Sequence, residues 1–141
     1  MSYLIDTNVL SELRRKLPDA NVVAWFEGRA RQSLHLSVLT LGEIRKGIER
    51  LNDPAGATRQ QSLNDWLEQD LPTFFLGRVL PIDSGVADRW GHLLAHAGRP
   101  LPAIDSLLAA TALHHNLTLV TRNVKDFAGT NVHLINPWDG S

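Results

Sequence analysis

The sequence predicts a three-layer α/β/α fold, in which a mostly parallel sheet of about five strands is flanked by helices. Short β-type runs alternate with stretches of helical periodicity, which is the pattern of βαβ units. The 141 residues are about the size of one domain, with 43% hydrophobic and 21% charged residues, as in ordinary globular proteins. Because the chain shows no internal repeat or linker, we expect residues 1–141 to form a single domain.

The first half of the chain alternates two predicted strands with helices. Residues 3–5 form the first strand, and Asp6-Thr7-Asn8 after it has side chains that suit a helix start. A second helix is predicted to begin at Asn21 and to end near Gly28. The second strand is predicted at 35–38, and apolar residues at 41, 44, 48 and 51 then repeat at helical spacing.

The second half continues the same alternation after a predicted break at 52–56, which is rich in turn-forming residues. An apolar helix at 103–115 is expected to pack against the sheet on much of its circumference. The other predicted elements are a helix with its apolar stripe at 63, 66, 67 and 71, a strand at 78–82, a helix through 86–94 stopped by Gly98, a stiff loop at 98–102, and strands at 117–120 and 132–135, the last at the sheet edge.

Composition excludes several classes of protein. Without cysteine there can be no disulfide and no thiolate metal site. No apolar run approaches the roughly 20 residues of a membrane helix, and the first residues do not resemble a signal peptide. We therefore expect a cytoplasmic protein with no membrane contact. A net charge of −1 also argues against a general nucleic-acid coat protein, though not against an enzyme that grips a short stretch of RNA.

Four carboxylates fall where one pocket could form. Asp6 directly follows the first strand, Glu43 lies one turn into the helix after the second, and Asp126 lies in the short segment after the fourth. Asp105 opens the apolar helix that precedes the fourth strand. Because ligands bind outside the carboxyl ends of parallel strands, these acids are candidates for a common site.

Electrostatics indicates what such a pocket would require. Two carboxylates ~5 Å apart repel by about 3 kcal/mol at an effective dielectric constant near 20. A divalent cation, or an inserted Arg or Lys, removes that penalty. All-oxygen ligands suit Mg²⁺ or Mn²⁺, which bind phosphate oxygens and activate water for in-line displacement at phosphorus. The cluster therefore predicts phosphodiester hydrolysis.

Each acid taken alone also has a purely structural interpretation. Asp6 could serve only as a helix cap, and Asp105 could simply favour the positive end of its helix. Glu43 could be a solvated helix residue and Asp126 an exposed loop acid. The joint placement of these residues at predicted strand ends is what favours a site.

Several motifs resemble those of PIN-domain proteins, in the order in which that family has them. They are Leu4-Ile5-Asp6-Thr7-Asn8-Val9-Leu10, Leu39-Thr40-Leu41-Gly42-Glu43-Ile44, the segment 102–112 around Asp105, Leu119 to Phe127, and Ile135-Asn136-Pro137-Trp138. The resemblance spans nearly the whole chain and is greatest to VapC-type toxins of the FitB-like subgroup. It implies a Mg²⁺- or Mn²⁺-dependent endoribonuclease that acts as the toxin of a type II toxin–antitoxin pair. It also implies a homodimer in tight complex with a small antitoxin, through which operator DNA is bound.

The same resemblance assigns roles to individual residues. It makes Asp6, Glu43, Asp105 and Asp126 the metal-site acids. It makes Thr7, Asn8 and Thr121 polar helpers that orient water or the carboxylates. Asn123 departs from the pattern of many PIN domains, which have a further acid there. Because an amide binds a cation less strongly than a carboxylate does, a second metal position is open to question.

Basic residues near these acids are candidates for RNA binding. Arg99, Arg122 and Lys125 are nearest in sequence and are predicted to contact the substrate. For the segment 14–16 and for Arg45, Lys46 and Arg50, a solvated helix face is the favoured interpretation. Trp25, Trp66 and Trp90 are expected in the core or an interface. His92 and His96 have the spacing of two zinc ligands, but the sequence lacks the glutamate of His-Glu-x-x-His.

Two other functions are consistent with parts of the sequence. The protein could act chiefly as half of a DNA-binding repressor complex, with its acid pocket docking a basic side chain of the partner and with little nuclease activity. A phosphatase with Asp6 as the nucleophile is the weaker alternative, because such enzymes usually carry a second Asp where Asn8 stands.

Overall fold

A computed structural model describes residues 1–51 and 57–140, so the predicted break at 52–56 lies outside the described residues. Within the described ranges, five strands form one parallel sheet in the order β3-β2-β1-β4-β5. The first strand is central, and the last lies at the edge, as predicted. The strands are β1 Tyr3–Ile5, β2 Leu34–Ser37, β3 Val79–Leu80, β4 Thr118–Val120 and β5 Leu134–Ile135.

Helices connect the strands and cover both faces of the sheet, which confirms the predicted α/β fold. Ile5 pairs with Val120 in the register of β1 and β4, so these two strands end at the same level. The helices are α1 Thr7–Leu13, α2 Ala20–Glu27, α3 Val38–Glu49, α4 Ala57–Asp65, α5 Leu71–Phe74, α6 Ser84–His96 and α7 Ala103–His114, with a π-helical segment, Trp66–Asp70, between α4 and α5.

The two faces of the sheet bury separate hydrophobic cores. Side chains alternate along β1, so Tyr3 and Ile5 belong to one core and Leu4 to the other. The first core is rich in aromatic residues and contains Trp25, as expected. The second contains small residues of α7, such as Ala109, which let that helix lie close to the sheet. Each face therefore anchors the start of a helix near the carboxyl ends of the strands.

The structure shifts several predicted boundaries. Val38 begins α3 instead of ending β2, because the Ser37 side chain accepts a hydrogen bond from the backbone N–H of Leu39 and caps the helix. Asp19 caps α2 in the same way, so that helix begins at Ala20 and not at Asn21. The outer strands β3 and β5 are shorter than predicted. In the part of the chain that the structure describes, no helix has the length and apolar character needed to cross a membrane.

Candidate active site

Asp6 stands where β1 gives way to α1. Its backbone N–H donates to the carbonyl of Val120, which extends the β1–β4 pairing to the end of the strand. Its side chain caps α1, with Oδ1 accepting a hydrogen bond of 2.8 Å from the backbone N–H of Thr7. The capping role considered from the sequence is therefore real, and it orients one of the two carboxylate oxygens.

A hydrogen-bond network holds that second oxygen. Thr121, fully buried just past β4, donates from Oγ1 to Oδ2 of Asp6 at 2.7 Å. The Asn8 amide donates to Thr121 Oγ1 at 3.2 Å, and the backbone N–H of Asn123 donates to the same oxygen at 3.1 Å. Residues more than 110 positions apart in the chain thus fix the position of one carboxylate.

Glu43 reaches the same site from α3, which follows β2. Its Oε1 accepts a hydrogen bond of 2.9 Å from the Thr7 hydroxyl. Thr7 therefore joins two acids, because its backbone N–H binds Asp6 and its side chain binds Glu43. The sequence prediction of Thr7 as a polar helper that orients carboxylates is consistent with these contacts.

Asp126 acts electrostatically on Asp6, and both of these acids act on Asp105. Burial raises the pKa of Asp6 most, and the charges of Glu43 and Asp126 raise it further, against the lowering effect of the hydrogen bonds from Thr121 and Thr7. The pKa of Asp105 is raised by burial first, then by the charges of Asp126 and Asp6. Both shifts are upward because carboxylates repel one another and are poorly solvated here.

A cleft of about 590 Å³ opens above these residues. It is bordered by Asp6, Glu43 and Asp105, while Asp126 is not among its lining residues. The complete lining is Asp6, Thr7, Asn8, Ser11, Glu12, Arg15, Glu43, Arg59, Asp105, Arg122, Asn123 and Trp138. Three of the four predicted acids therefore share one opening, and the fourth is close enough to raise the pKa of two of them.

The donor set of this cleft suits a hard divalent cation. Within residues 1–51 and 57–140, the ion pairs involve Glu12, Glu49 and Glu68, so the four acids have no Lys or Arg partner there. In those same ranges no three His, Asp or Glu side chains are grouped closely enough to hold one ion directly. Mg²⁺ binds through one or two carboxylates and retains several waters, so this looser arrangement of oxygen ligands fits that ion.

The predicted substrate-binding residues occupy different places. Arg122 lines the cleft, with its guanidinium carbon 5.1 Å from the centre of the Trp138 ring. Arg99 instead donates to the backbone carbonyls of Asp126 and Ala128. These hydrogen bonds restrain the segment 126–128, which contains the fourth acid. Neither Arg99 nor Lys125 lines the cleft. Their contact with a substrate stays a prediction, and only Arg122 has the position it requires.

Glu12, Arg15 and Arg59 are charged lining residues for which the sequence predicts no role in the site. For Arg15 a solvated surface is the favoured interpretation from the sequence. Glu12 lies in the last turn of α1 and Arg15 lies just beyond its end, three positions later, a spacing at which opposite charges meet. This signal is visible in the sequence once α1 is known to run along the cleft. Arg59 could not be found in that way, because its approach depends on how α4 packs.

The other residues considered from the sequence, His92, His96 and Trp90, lie outside the acid cleft. His96 Nδ1 is 2.8 Å from the backbone carbonyl oxygen of His92, and neither histidine lines the cleft. The indole N–H of Trp90 donates to Ser106 Oγ at 2.9 Å, which joins α6 to α7. None of these four residues lines the cleft.

Comparison with known proteins identifies the family. Residues 3–131 match the PIN domain. The chain belongs to the PIN-domain family. Among the similar proteins, Toxin FitB of Neisseria gonorrhoeae is 36% identical over 96% of this chain and 97% of its own length. VapC ribonuclease Y4jK of Sinorhizobium fredii is 34% identical over 96% and 97%. The family resemblance noted from the motifs is confirmed.

Two solved structures of complexes contain a chain with the same fold as this one. A structure of FitAB bound to a DNA fragment matches with a TM-score of 0.88 at 34% identity, covering 96% of this chain and 95% of that one. A toxin–antitoxin complex from Klebsiella pneumoniae matches with a TM-score of 0.67 at 28% identity, covering 96% and 98%. The acid cleft described above therefore lies at the carboxyl edge of a PIN-domain sheet.

Proposed function

We propose that this protein is a metal-dependent endoribonuclease and the toxin of a type II toxin–antitoxin pair, with residues 1–141 forming one nuclease domain. The observation that carries the proposal is the meeting of Asp6, Glu43 and Asp105 at one cleft, with the charge of Asp126 beside them. The names of relatives such as VapC ribonuclease Y4jK support the same activity.

The acids would hold the cation and the neighbouring polar groups would hold the acids. Asp6 and Asp105 would be the principal ligands of Mg²⁺ or Mn²⁺, Glu43 would bind directly or through water, and Asp126 would complete the site. When bound, the ion activates water and neutralises charge at phosphorus during in-line displacement. Thr121 and the N–H of Thr7 would keep the Asp6 carboxylate in one orientation, so that less reordering is needed on binding.

The chain's own cations would position the RNA. Arg122 lies in the cleft, and Trp138 supports its planar guanidinium. A guanidinium can bind two phosphate oxygens at once, which would orient the phosphodiester beside the acids. Asn123 contributes no negative charge at the rim, which favours approach of a polyanion and weakens any second cation position.

The partners follow from the relatives by analogy. We propose a small DNA-binding antitoxin that brings operator DNA to the complex, a homodimer of the toxin, and a cytoplasmic location. The similar structures include a toxin–antitoxin complex and one bound to DNA, which supports the first of these.

The test is cleavage of a labelled single-stranded RNA by the purified protein with Mg²⁺, with Mn²⁺ and with EDTA. We expect cutting only with metal, and a loss of more than about 100-fold in Asp6→Asn, because removal of a direct ligand exceeds the effect of removing its supports. Asp88→Asn, which alters an exposed acid of α6, is the matched control and should cut normally.

The outcomes separate the two functions considered. Cutting by Asp6→Asn at the parent rate would overturn the assignment of the site. No cutting under any metal, together with operator binding by the antitoxin complex that survives loss of all four acids, would favour the repressor role instead.

A further inference from the structure

A second groove of about 360 Å³ continues from the acid cleft between α1, α3 and α4. The two cavities share several lining residues, so an extended ligand could pass from one into the other. The shared residues are Thr7, Ser11, Arg15, Glu43 and Arg59. The groove therefore begins at the acids and leads away from them across the molecule.

The charge of this groove contrasts with that of the whole chain. Arg14, Arg15 and Arg59 line it, and Glu43 is the one acid among its described lining residues. The chain as a whole has a net charge of −1. The other side chains that line the groove are mostly apolar: Ile44, Ile48, Leu51, Leu63 and Trp66. Cations set in such a wall beside the acid cleft can hold the phosphates of a single strand, while its bases lie against the apolar side chains.

The Arg15 side chain forms an ion pair with a buried carboxylate. Glu12 is only 6% exposed, and its two oxygens lie 3.2 and 3.3 Å from Arg15 Nη1. Glu12 also accepts a hydrogen bond of 2.9 Å from the backbone N–H of Asp19. A buried carboxylate is costly unless it is paired, so this contact restrains the Arg15 side chain. The guanidinium keeps further N–H donors for a ligand, because it has five.

The far wall of the groove is also ordered by an arginine. The guanidinium carbon of Arg14 lies 5.0 Å from the centre of the Trp66 ring, and its Nη2 donates to Ser62 Oγ at 3.0 Å. Arg14 thus links α1 to α4 and to the π-helical segment. These contacts hold the Arg14 side chain against the wall of the groove, whereas Arg15 and Arg59 also line the acid cleft and are nearer to the acids.

We propose that this groove binds the single-stranded RNA that flanks the cut phosphate, with Arg15 and Arg59 contacting backbone phosphates. Glu12 is the positioning residue for Arg15. This inference rests on the proposed function and extends it, because a strand whose phosphate lies among the acids must leave the cleft. The groove offers such a path, because the positive charges of its arginines attract the negatively charged RNA strand.

The experiment measures binding separately from cutting. Asp6→Asn protein is titrated with a fluorescent 12-nucleotide RNA over a series of NaCl concentrations. Adding Arg15→Gln or Arg59→Gln should weaken binding roughly fivefold. Each should also reduce the slope of log affinity against log salt by about 0.7, the value for one lost phosphate contact on a single strand. Arg89→Gln, which alters an exposed arginine of α6, is the matched control and should leave both unchanged.

A double-mutant cycle tests the role of Glu12. Glu12→Gln should weaken RNA binding when Arg15 is present and should have no further effect in Arg15→Gln. Glu12→Ala, which also removes the acceptor for the backbone N–H of Asp19, should lower the melting temperature in both backgrounds. Equal losses of RNA binding in the two backgrounds would show a merely structural role and overturn the positioning claim.

The groove and the nuclease activity can fail separately. Normal metal-dependent cutting by the parent, combined with unchanged salt slopes in Arg15→Gln and Arg59→Gln, would overturn the groove alone. RNA binding with the expected slopes but no cutting would overturn the proposed function alone. Loss of antitoxin binding with RNA binding intact would assign the groove to a protein partner and would also overturn the proposal.

Discussion

The two ends of the parallel sheet differ in how their polar groups are arranged. At the carboxyl end, Asp6, Asn8 and Thr121 form one hydrogen-bond network across β1 and β4. At the amino end a cavity of about 370 Å³ lies beside the segments that precede the same strands. There His115 Nε2 is buried without a hydrogen-bond partner in the described part of the chain. Both ends have a cavity, but hydrogen bonds join the side chains at the carboxyl end, whereas His115 Nε2 at the amino end has none in the described residues.

The difference follows from the direction of the helices. A helix that connects parallel strands runs back along the sheet, so its first turn lies at the carboxyl ends of the strands. The first turns of α1, α3 and α7 therefore lie at that edge, and Asp6 and Asp105 stand at two of them. Their positive ends favour carboxylates. The fold thus assembles Asp6, Glu43 and Asp105 at the carboxyl end of the sheet, whereas at the amino end Asp83 lies near His114 and His115.

The largest difference between the two ends is expected when a threonine at each end of β4 is replaced by valine and RNA cleavage is measured. Thr121→Val removes the hydroxyl that binds Asp6, and we expect RNA cleavage to fall about 10- to 100-fold. Unfolding free energy should fall by about 1–2 kcal/mol from the lost hydrogen bonds. Thr118→Val, at the opposite end of the strand, should leave cleavage unchanged. Rates and denaturant curves of both variants test this, and equal effects would contradict the proposed difference between the ends.

A smaller effect is expected from Asp105→Asn in metal-free protein. Since the folded pKa of Asp105 is raised, folding favours its protonated form, and its ionisation lowers stability as pH rises above the range of an unfolded Asp. The variant should therefore melt about 2–4 °C higher at pH 7 in EDTA, after allowance for solvent screening.

The pH series supplies the control for that measurement. Near pH 3 the acid is protonated in both the folded and unfolded states, so the difference between parent and Asp105→Asn should vanish. Added Mg²⁺ should stabilise the parent at pH 7 and have less effect on the variant. A variant less stable than the parent in EDTA at pH 7 would mean that burial and the neighbouring acids do not disfavour the ionised form of Asp105 in the folded protein.

The smallest effect is predicted at the amino end. Burial, followed by the charge of His114, lowers the pKa of His115, so the unfolded chain takes up a proton there before the folded chain does. Stability should therefore decline as pH falls from about 7 to 5. His115→Gln should reduce this decline by about 1–2 °C in melting temperature. Cleavage should not change, and a loss of cleavage would show that the amino end also serves the reaction.

Much of the site could be predicted because its residues lie beside strong local signals. Asp6 follows an apolar strand, and Asp105 opens an apolar helix, so the parallel-sheet prediction alone brought them to one edge. Arg99 shows where that reasoning stops. Its nearness in sequence to the acids predicts substrate contact, which stays a prediction, but no local signal indicated that its guanidinium would bind two backbone carbonyls. The partner that an arginine binds depends on which groups lie within hydrogen-bonding distance after folding.

The sequence by itself determined the alternation of strands and helices, the parallel sheet and the edge at which acids collect, since hydrophobic periodicity and helix caps act over a few residues. Only the tertiary structure decided that Thr121 would bind Asp6, that Glu12 would hold Arg15 at the cleft and that α4 would bring Arg59 beside it. These contacts depend on register and helix packing, which are set by the whole core and by no single segment.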